Sequence, residues 1–407
     1  MLLKSVEAGV GEQRDRVRVQ GRVRYDGDGF EEDIWFDLPA SHLPHLSNSG
    51  NPWLVALLPL AVFLREPLRL PAPVDPQLLE GCRLLQDVWC AWYPHLASIP
   101  IEAPTLRPAA SSGPDRTGLF FSGGVDSFHS LIQHNAPGST GVRAPVTDLL
   151  LIHGADIPIA DSEAFNRLRP RMEDVASSFG IGLVDIATNL RETRWGRSDW
   201  PHMSHGALLA AAGLILEPRF SRLLIASSAP FSRLRPYGSH PITDHMFSTG
   251  HTRVIHDGAD LDRPEKLKSI SAHPAVLKHL RVCWLGKSDS NCGRCPKCFH
   301  TMVGLELAGT LDKSETLPRK IDPARYRKVY FESQGTYTAY WMLRSYRQLA
   351  WVARRSDLVT LLDQVLGRSD RLRLSRDILE GLARRRLIPS GLSKRLIARL
   401  FRTSVKY

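Results

Sequence analysis

A chain of 407 residues with 43% apolar content is long enough for two or three domains with filled cores. No apolar run approaches the ~20 residues needed to span a bilayer, and Met1-Leu2-Leu3-Lys4-Ser5-Val6-Glu7 lacks the long apolar segment of a signal peptide, so no membrane is expected and the protein reads as cytoplasmic. The net charge of +11 sits at one end: residues 320–407 hold 20 cations against 7 acids, which leaves the preceding residues at −2. Such a tail suits an anionic partner such as nucleic acid, but Arg-rich helices are more often solvated faces, and that reading is preferred.

Taken in chain order, Val17, Val19 and Val23 alternate with charged residues over 16–24, and apolar character resumes over 34–38 after the turn Asp26-Gly27-Asp28-Gly29. This pattern predicts a hairpin with one wet face. Residues 53–64 are apolar nearly throughout, broken only by Pro59, while Leu78, Leu79, Cys82, Leu84, Leu85, Val88 and Trp89 recur at helical spacing within 74–92. An N-terminal α+β module over 1–110 is expected, ending in a connector that carries Pro100, Pro104, Pro108, Gly113 and Pro114.

A short apolar run, Leu119 to Phe121, then leads into Ser122-Gly123-Gly124-Val125-Asp126-Ser127, and Phe128, Leu131 and Ile132 fall three and four apart as a helix face requires. The prediction is strand, tight turn, helix. Adjacent glycines permit positive φ and close approach of a ligand, and the helix offers unpaired N–H groups at the positive end of its dipole, which together cradle phosphate. Ser122 and Ser127 add hydroxyl donors, and Asp126 suits a Mg²⁺ that bridges phosphate oxygens. A loop meant only to turn needs none of these. The stretch is not of the Walker type, which requires Gly, four residues and Gly-Lys-Ser/Thr; Gly286-Lys287-Ser288 fails that test because position 281 is Arg.

Beyond the turn the spacing predicts a strand over 146–153, a helix over 161–179, a strand over 182–186, a helix over 205–216 and a strand over 223–226. Repeated βα units give a parallel sheet whose ligand crevice lies at the carboxyl ends of its strands. His153-Gly154-Ala155-Asp156, residues 188–192 and residues 227–237 fall at such ends, and the long loop 233–241 offers groups to grip an anionic or planar substrate. Asp262-Arg263-Pro264-Glu265-Lys266 opens a further helix, with proline and acids in its first turn.

Four of the six cysteines cluster as Cys283, Cys292, Cys295 and Cys298. Two C-x-x-C steps and one upstream thiolate can complete a tetrahedron around Zn²⁺ with no position left for water, as in a structural site. A redox pair fits four clustered thiols less well. An iron–sulfur cluster is the rival, since four cysteines ligate one equally well. Cys82 and Cys90 share the amphipathic helix over 74–92 and read as core residues.

Ser122 to Ser127 after a strand resembles the pyrophosphate loop (PP-loop) of the adenine nucleotide alpha-hydrolase-like ATP pyrophosphatases. With Arg263-Pro264-Glu265, Cys283 and the run Cys292-Gly293-Arg294-Cys295-Pro296-Lys297-Cys298, residues 115–310 look like the 7-cyano-7-deazaguanine synthase family. The resemblance implies a Rossmann-like parallel-sheet PP-loop domain over 115–310 that ends in a four-cysteine zinc site, with 311–407 left as a basic helical domain. It implies ATP and Mg²⁺ held through Ser122, Gly123, Gly124, Val125, Asp126, Ser127 and His153, with Asp126, Ser127 and Arg263 catalytic and Zn²⁺ on the four cysteines.

Two departures limit the likeness. The family's Pro-x-Arg-Asn before the long middle helix reads Trp200-Pro201-His202-Met203-Ser204-His205 here, and its Gly-Tyr-Pro-Asp-Cys reads Gly258-Ala259-Asp260-Leu261-Asp262. The adenylating reaction is therefore expected to carry over and the deazaguanine substrate is not; larger relatives of the synthase in other pathways, bacterial defence clusters included, are the nearer likeness. The expected activity is an AMP-forming ligase that adenylates a carboxylate or amide oxygen of a small-molecule or protein-borne acyl substrate for attack by a nitrogen nucleophile. A homodimer is left open. Sulfur transfer to tRNA would use the basic tail but wants a catalytic cysteine, and a nucleotide-binding scaffold would need a degenerate turn, against which Ser122 to Ser127 argues.

Overall fold

In the computed structural model of the protein, which describes residues 1–11, 15–106, 115–139, 143–283, 289–326, 337–385 and 387–401, the chain divides between Leu261 and Asp262. The first unit carries every strand among the described residues: β1 (Leu2–Val10), β2 (Arg16–Arg24), β3 (Glu31–Pro39), β4 (Leu68–Arg69), β5 (Ile101–Glu102), β6 (Thr117–Phe120), β7 (Asp148–His153), β8 (Gly182–Thr188), β9 (Arg222–Ala226) and β10 (Arg253–Asp257). They form one mixed, mostly parallel ten-stranded sheet in the order β10-β9-β6-β7-β8-β3-β2-β1-β4-β5. Strands β6 to β10 are mutually parallel, and β6 and β7 are buried at every residue, as strands covered on both faces must be.

Helices α1 (Asn51–Leu64), α2 (Pro76–Trp92), α3 (Val125–His134), α4 (Ser162–Ser178) and α5 (His205–Leu214) cover the sheet. Alternate strand residues divide between its two faces. Phe120, Leu150, Ile152, Val184, Ile186, Leu223 and Ile225 share a core with α1 and α5, whereas Leu119, Leu149, Leu151 and Leu224 are buried outside that cluster. The second set faces α3 and α4, because right-handed crossovers put the β6–β7 and β7–β8 helices on one side and the β8–β9 helix on the other. The apolar stretch expected over 53–64 is α1, buried along nearly its whole length.

The hairpin expected over 16–38 is present as β2 and β3, whose backbones pair antiparallel from Arg16↔Pro39 to Arg24↔Glu31. The boundary expected near residue 110 nevertheless falls inside the sheet, because β3 pairs antiparallel with β8 at Phe36↔Thr188 and Asp37↔Ala187. Side chains extend that short seam. Asn189 accepts from the Trp35 N–H at 2.9 Å and donates to the Asp33 carbonyl at 2.8 Å, while the Arg16 guanidinium bridges Asp37 and Asp185, the latter at 2.6 Å. The connector residues 107–114 and Gly286-Lys287-Ser288 lie outside the described residues.

The second unit, Asp262–Tyr407, is helical: α6 (Arg263–Ile270), α7 (Pro274–His279), α8 (Pro296–Leu307), α9 (Pro323–Tyr326), α10 (Tyr337–Val352), α11 (Ser356–Arg384) and α12 (Ser390–Phe401). The boundary expected near residue 310 lies within it. A Cβ built on Gly304 of α8 would stand 2.5 Å from Leu267 of α6 and 2.7 Å from the Tyr346 hydroxyl of α10, so three helices meet at a point that only glycine allows. The C-terminal helices therefore share a core with α8. Among the described residues no helix is long and apolar enough to cross a membrane.

Candidate functional site

Strand β6 connects to β7 on one side, and the chain returns from β8 to β9 on the other, so the sheet reverses its winding direction at β6. Ligand crevices of open α/β sheets form at such reversals, outside the carboxyl ends of the strands. The glycine turn emerges there. Phe121 N–H donates to the Leu150 carbonyl at 2.9 Å, one residue beyond β6; Gly123 then turns the chain at φ +74°, and α3 begins at Val125 with Gly124 as its N-cap. As a glycine, the N-cap residue has no side chain with which to cap this helix. The N–H groups of its first turn thus face the turn with the positive end of the dipole behind them.

Only one of the two glycines uses the left-handed region, since Gly124 has φ −82° and ψ 170°, which other residues also adopt. Ser122 and Asp126 are half-buried at the turn. Ser127, expected as a phosphate donor, is buried and donates its hydroxyl to the Gly124 carbonyl at 3.1 Å, so its proton serves the turn itself. Phe121 and Phe128 meet edge to face at 5.0 Å and brace the strand end against the helix.

Helix α3 is anchored at its far end by β10. The Ser130 hydroxyl donates to Asp257 at 2.5 Å, and buried His134 faces the Ala144 carbonyl through Nδ1 at 2.8 Å and Asp257 through Nε2 at 3.0 Å. With an acceptor at each nitrogen, the ring is satisfied only as imidazolium. Burial pulls its pKa down, but the hydrogen bond and charge of Asp257 and the Ala144 carbonyl outweigh burial, and the net shift is upward from 6.5. A raised folded pKa means that the stabilisation is complete below the unfolded value and is lost as pH rises through the folded one. His134→Gln, which can donate to Ala144 but cannot charge, is therefore expected to cost about 2 kcal/mol near pH 5.5, the scale of a hydrogen bond to a charged group. Denaturant melts across pH 5.5 to 9 check it: the gap to wild type should narrow as pH rises, and a constant gap would refute the charged pair.

The neighbouring strand ends form the other walls. His153, expected to contact the ligand, is buried, stacked on Phe165 at 4.3 Å, and donates from Nε2 to the Pro158 carbonyl at 3.0 Å. Its polar edge is engaged in holding its own loop. Gly154 follows at φ +98°, so close to β8 that a Cβ would lie 2.0 Å from the Thr188 carbonyl oxygen. Beside α5, Trp200 carries the Arg191 guanidinium 4.2 Å from its ring, and His205 packs against Tyr237 at 4.9 Å. Loop 233–241 continues into a buried Asp244 that accepts from Ser239, from the His240 N–H and from His256 of β10. Asp244, His256 and Asp257 had no signal in the sequence, because nothing in their spacing announces that a short strand brings them to this end of the sheet.

The second unit holds the four cysteines together. Their sulfurs all lie within 4.8 Å of one another, with Cys283 and Cys295 at 3.7 Å and Cys292 and Cys298 at 3.9 Å, an arrangement that could hold a metal ion. The knuckle is set by Gly293 at φ +63°, while the N–H groups of Cys295 and Cys298 donate to the sulfurs of Cys292 and Cys295 at 3.3 and 3.4 Å. Cys295 and Cys298 also stand at the start of α8, where the dipole favours thiolate. Hydrogen bonds from Cys295 and Cys298 pull the Cys283 thiol far down, and Cys283 in return pushes Cys295 up to about 12 and Cys298 higher still. Asn291, which spacing rules do not single out, ties Cys283 to the knuckle by accepting from the Val282 and Cys283 N–H groups at 2.8 and 3.2 Å and donating to the Leu280 carbonyl at 2.8 Å. Tyr326 closes the knuckle by donating to the Gly293 carbonyl.

Thus the turn residues come together in one feature and the cysteines in another. Arg263 belongs to the second unit: it is the first residue of α6, behind a capping box of Asp262 and Glu265, and its charge acts on buried His300. Cys82 is fully buried, which pushes its thiol up and suits core packing, and Cys90 is half-buried on the same helix. A cavity of about 490 Å³ in the second unit sets Arg319, Lys320 and Arg355 against Glu306, Asp312 and Asp357, a balance that selects no anion. Comparison of the chain with protein-family models, with curated proteins and with solved structures gives no match.

Proposed function

We propose that the protein is an ATP-dependent, AMP-forming ligase of the PP-loop pyrophosphatase type, built on an adenine nucleotide alpha-hydrolase-like core. The observation that carries this reading is the glycine-capped start of α3, behind the Gly123 turn, at the point where the sheet reverses its winding. The first-turn N–H groups and Ser122 suit the β and γ phosphates, which leaves the α phosphate open to attack. A carboxylate or amide oxygen forms a bond to the α-phosphorus, the bond to the β-phosphate oxygen breaks, and pyrophosphate leaves with the electron pair into the helix dipole. An amine then displaces AMP from the acyl carbon. Asp126 is the residue suited to hold Mg²⁺, which when bound neutralises phosphate charge.

The metal suited to the four cysteines is Zn²⁺. A tetrahedron with Zn–S bonds of about 2.3 Å has sulfur–sulfur edges of about 3.8 Å, and the closest pairs here stand at 3.7 and 3.9 Å. An iron–sulfur cluster puts several irons and bridging sulfides between its thiolates and would spread them further. The role is structural.

Incubating the purified protein with α-labelled ATP tests the reaction. Labelled AMP with pyrophosphate is expected, slowly with water as acceptor and faster once cell extract supplies the acyl substrate. Labelled ADP as the sole product would sink this reading.

A further inference from the structure

The last two residues of β10 face opposite sides of the sheet: Asp257 holds α3, and His256 turns towards the loop before it. His256 Nδ1 lies 2.8 Å from Asp244, whose side chain is wholly buried and also takes the Ser239 hydroxyl at 2.6 Å and the His240 N–H at 3.0 Å. The loop is fixed from behind by the start of α5, where a Cβ on Gly206 would meet the Gly238 carbonyl oxygen at 2.4 Å and Asp244 at 3.2 Å. The carboxylate can only accept, so His256 donates from Nδ1, and in the neutral ring Nε2 carries the lone pair. That nitrogen makes no hydrogen bond among the described residues. His256 stands near the carboxyl end of β10, two strands from β6, whose backbone runs about 10 Å away and leads into the glycine turn.

We propose that His256, held by Asp244, is the proton acceptor for the incoming nitrogen nucleophile, which arrives from the β10 side. The assignment rests on the AMP-forming reading above. In the transfer step the amine nitrogen bonds to the acyl carbon, the C–O bond to AMP breaks, AMP leaves with the electron pair, and the N–H proton passes to Nε2. When water attacks the α-phosphorus in place of an acyl oxygen, its proton takes the same route. Asp244 is a positioning residue: it fixes the tautomer and offsets the charge the ring takes up. Besides Asp244, titratable groups whose charge couples to His256 among the described residues include His205 from α5 and His240 from the loop.

His256→Asn separates this role from a merely structural one, because asparagine keeps an N–H for Asp244 and removes Nε2. With ATP as the probe and water as acceptor, AMP formation should fall about 100-fold with melting temperature and ATP affinity unchanged. The wild-type rate should fall at low pH, and that fall should disappear in the variant. Asp244→Asn should lower the rate and shift the wild-type pH profile, and free imidazole should restore part of the rate to His256→Ala. A His256→Asn protein as active as wild type would overturn the assignment and leave the parent reading standing. A wild type that forms ADP alone would remove both.

Discussion

Replacing Asp126 with alanine is expected to lower AMP formation by about 100- to 1000-fold, the range seen when one preorganised group that meets developing charge is removed. Asp126 is the only acid in the first turn of α3, half-buried beside a turn whose N-cap residue is a glycine. Without it the phosphates meet the N–H groups but lose the carboxylate that would hold Mg²⁺ against them. Through the helix dipole the fold should lose about 0.3–1 kcal/mol, the contribution of a carboxylate in a first turn. Rates with α-labelled ATP, set beside melts of the same protein, check both halves. The neighbouring positions sharpen the result. Gly123→Ala should cost about 1–2 kcal/mol of stability, since alanine resists positive φ, whereas the backbone of Gly124 is one that other residues adopt, so no such strain opposes a side chain there. Ser127→Ala should change stability more than turnover, because its hydroxyl already serves the Gly124 carbonyl. An Asp126→Ala protein that turns over at the wild-type rate would remove this residue from the chemistry.

Cys298→Ser is expected to release the metal and unfold the helices built around it. Cys298 is wholly buried in α8, and α8 is buried from Pro296 to Leu305 against α6 and α10, so the ion would sit at the centre of the second unit's core. Structural zinc supplies on the order of 10 kcal/mol in small domains, more than the net stability of most domains. Amide exchange across α6, α8 and α10 should rise in the variant and in wild type treated with a strong chelator. Elemental analysis of anaerobically purified protein should give one zinc per chain. Iron with acid-labile sulfide would overturn the metal, and unchanged exchange after complete metal removal would overturn its structural role.

What was legible in the sequence was local. The strand, turn and helix around Gly123 follow from two glycines between an apolar run and a helical face, and the cysteine knuckle follows from spacing alone; both are present. Helices expected over 161–179 and 205–216 appear as Ser162–Ser178 and His205–Leu214, since their periodicity is set by neighbours three and four residues away. Pairings between distant segments were not legible. Proline and glycine marked the connector before residue 115, but no pattern in β3 says that its free side will meet β8 about 150 residues later. Likewise nothing in the basic tail showed that Tyr346 would bury against the helix of the cysteines, although the apolar stripe that holds Leu343 reads as core and Leu343 is buried. His153 misled for a related reason: a histidine at a strand end looks available until the loop beyond it supplies Phe165 and the Pro158 carbonyl.

The sheet tapers at one side, where β4 and β5 are two residues each. A strand that short offers an incoming chain almost no row of unpaired N–H and C=O groups, so the taper works as a stop against sheet extension and the aggregation that follows from it. The N-terminal strands thus do more than widen the sheet. They close the row in a stub at β5, and the edges left for strand addition are β10, five residues long and ending in Asp257, and the largely exposed run of β1 from Lys4 to Val10, which β4 pairs only at Leu2.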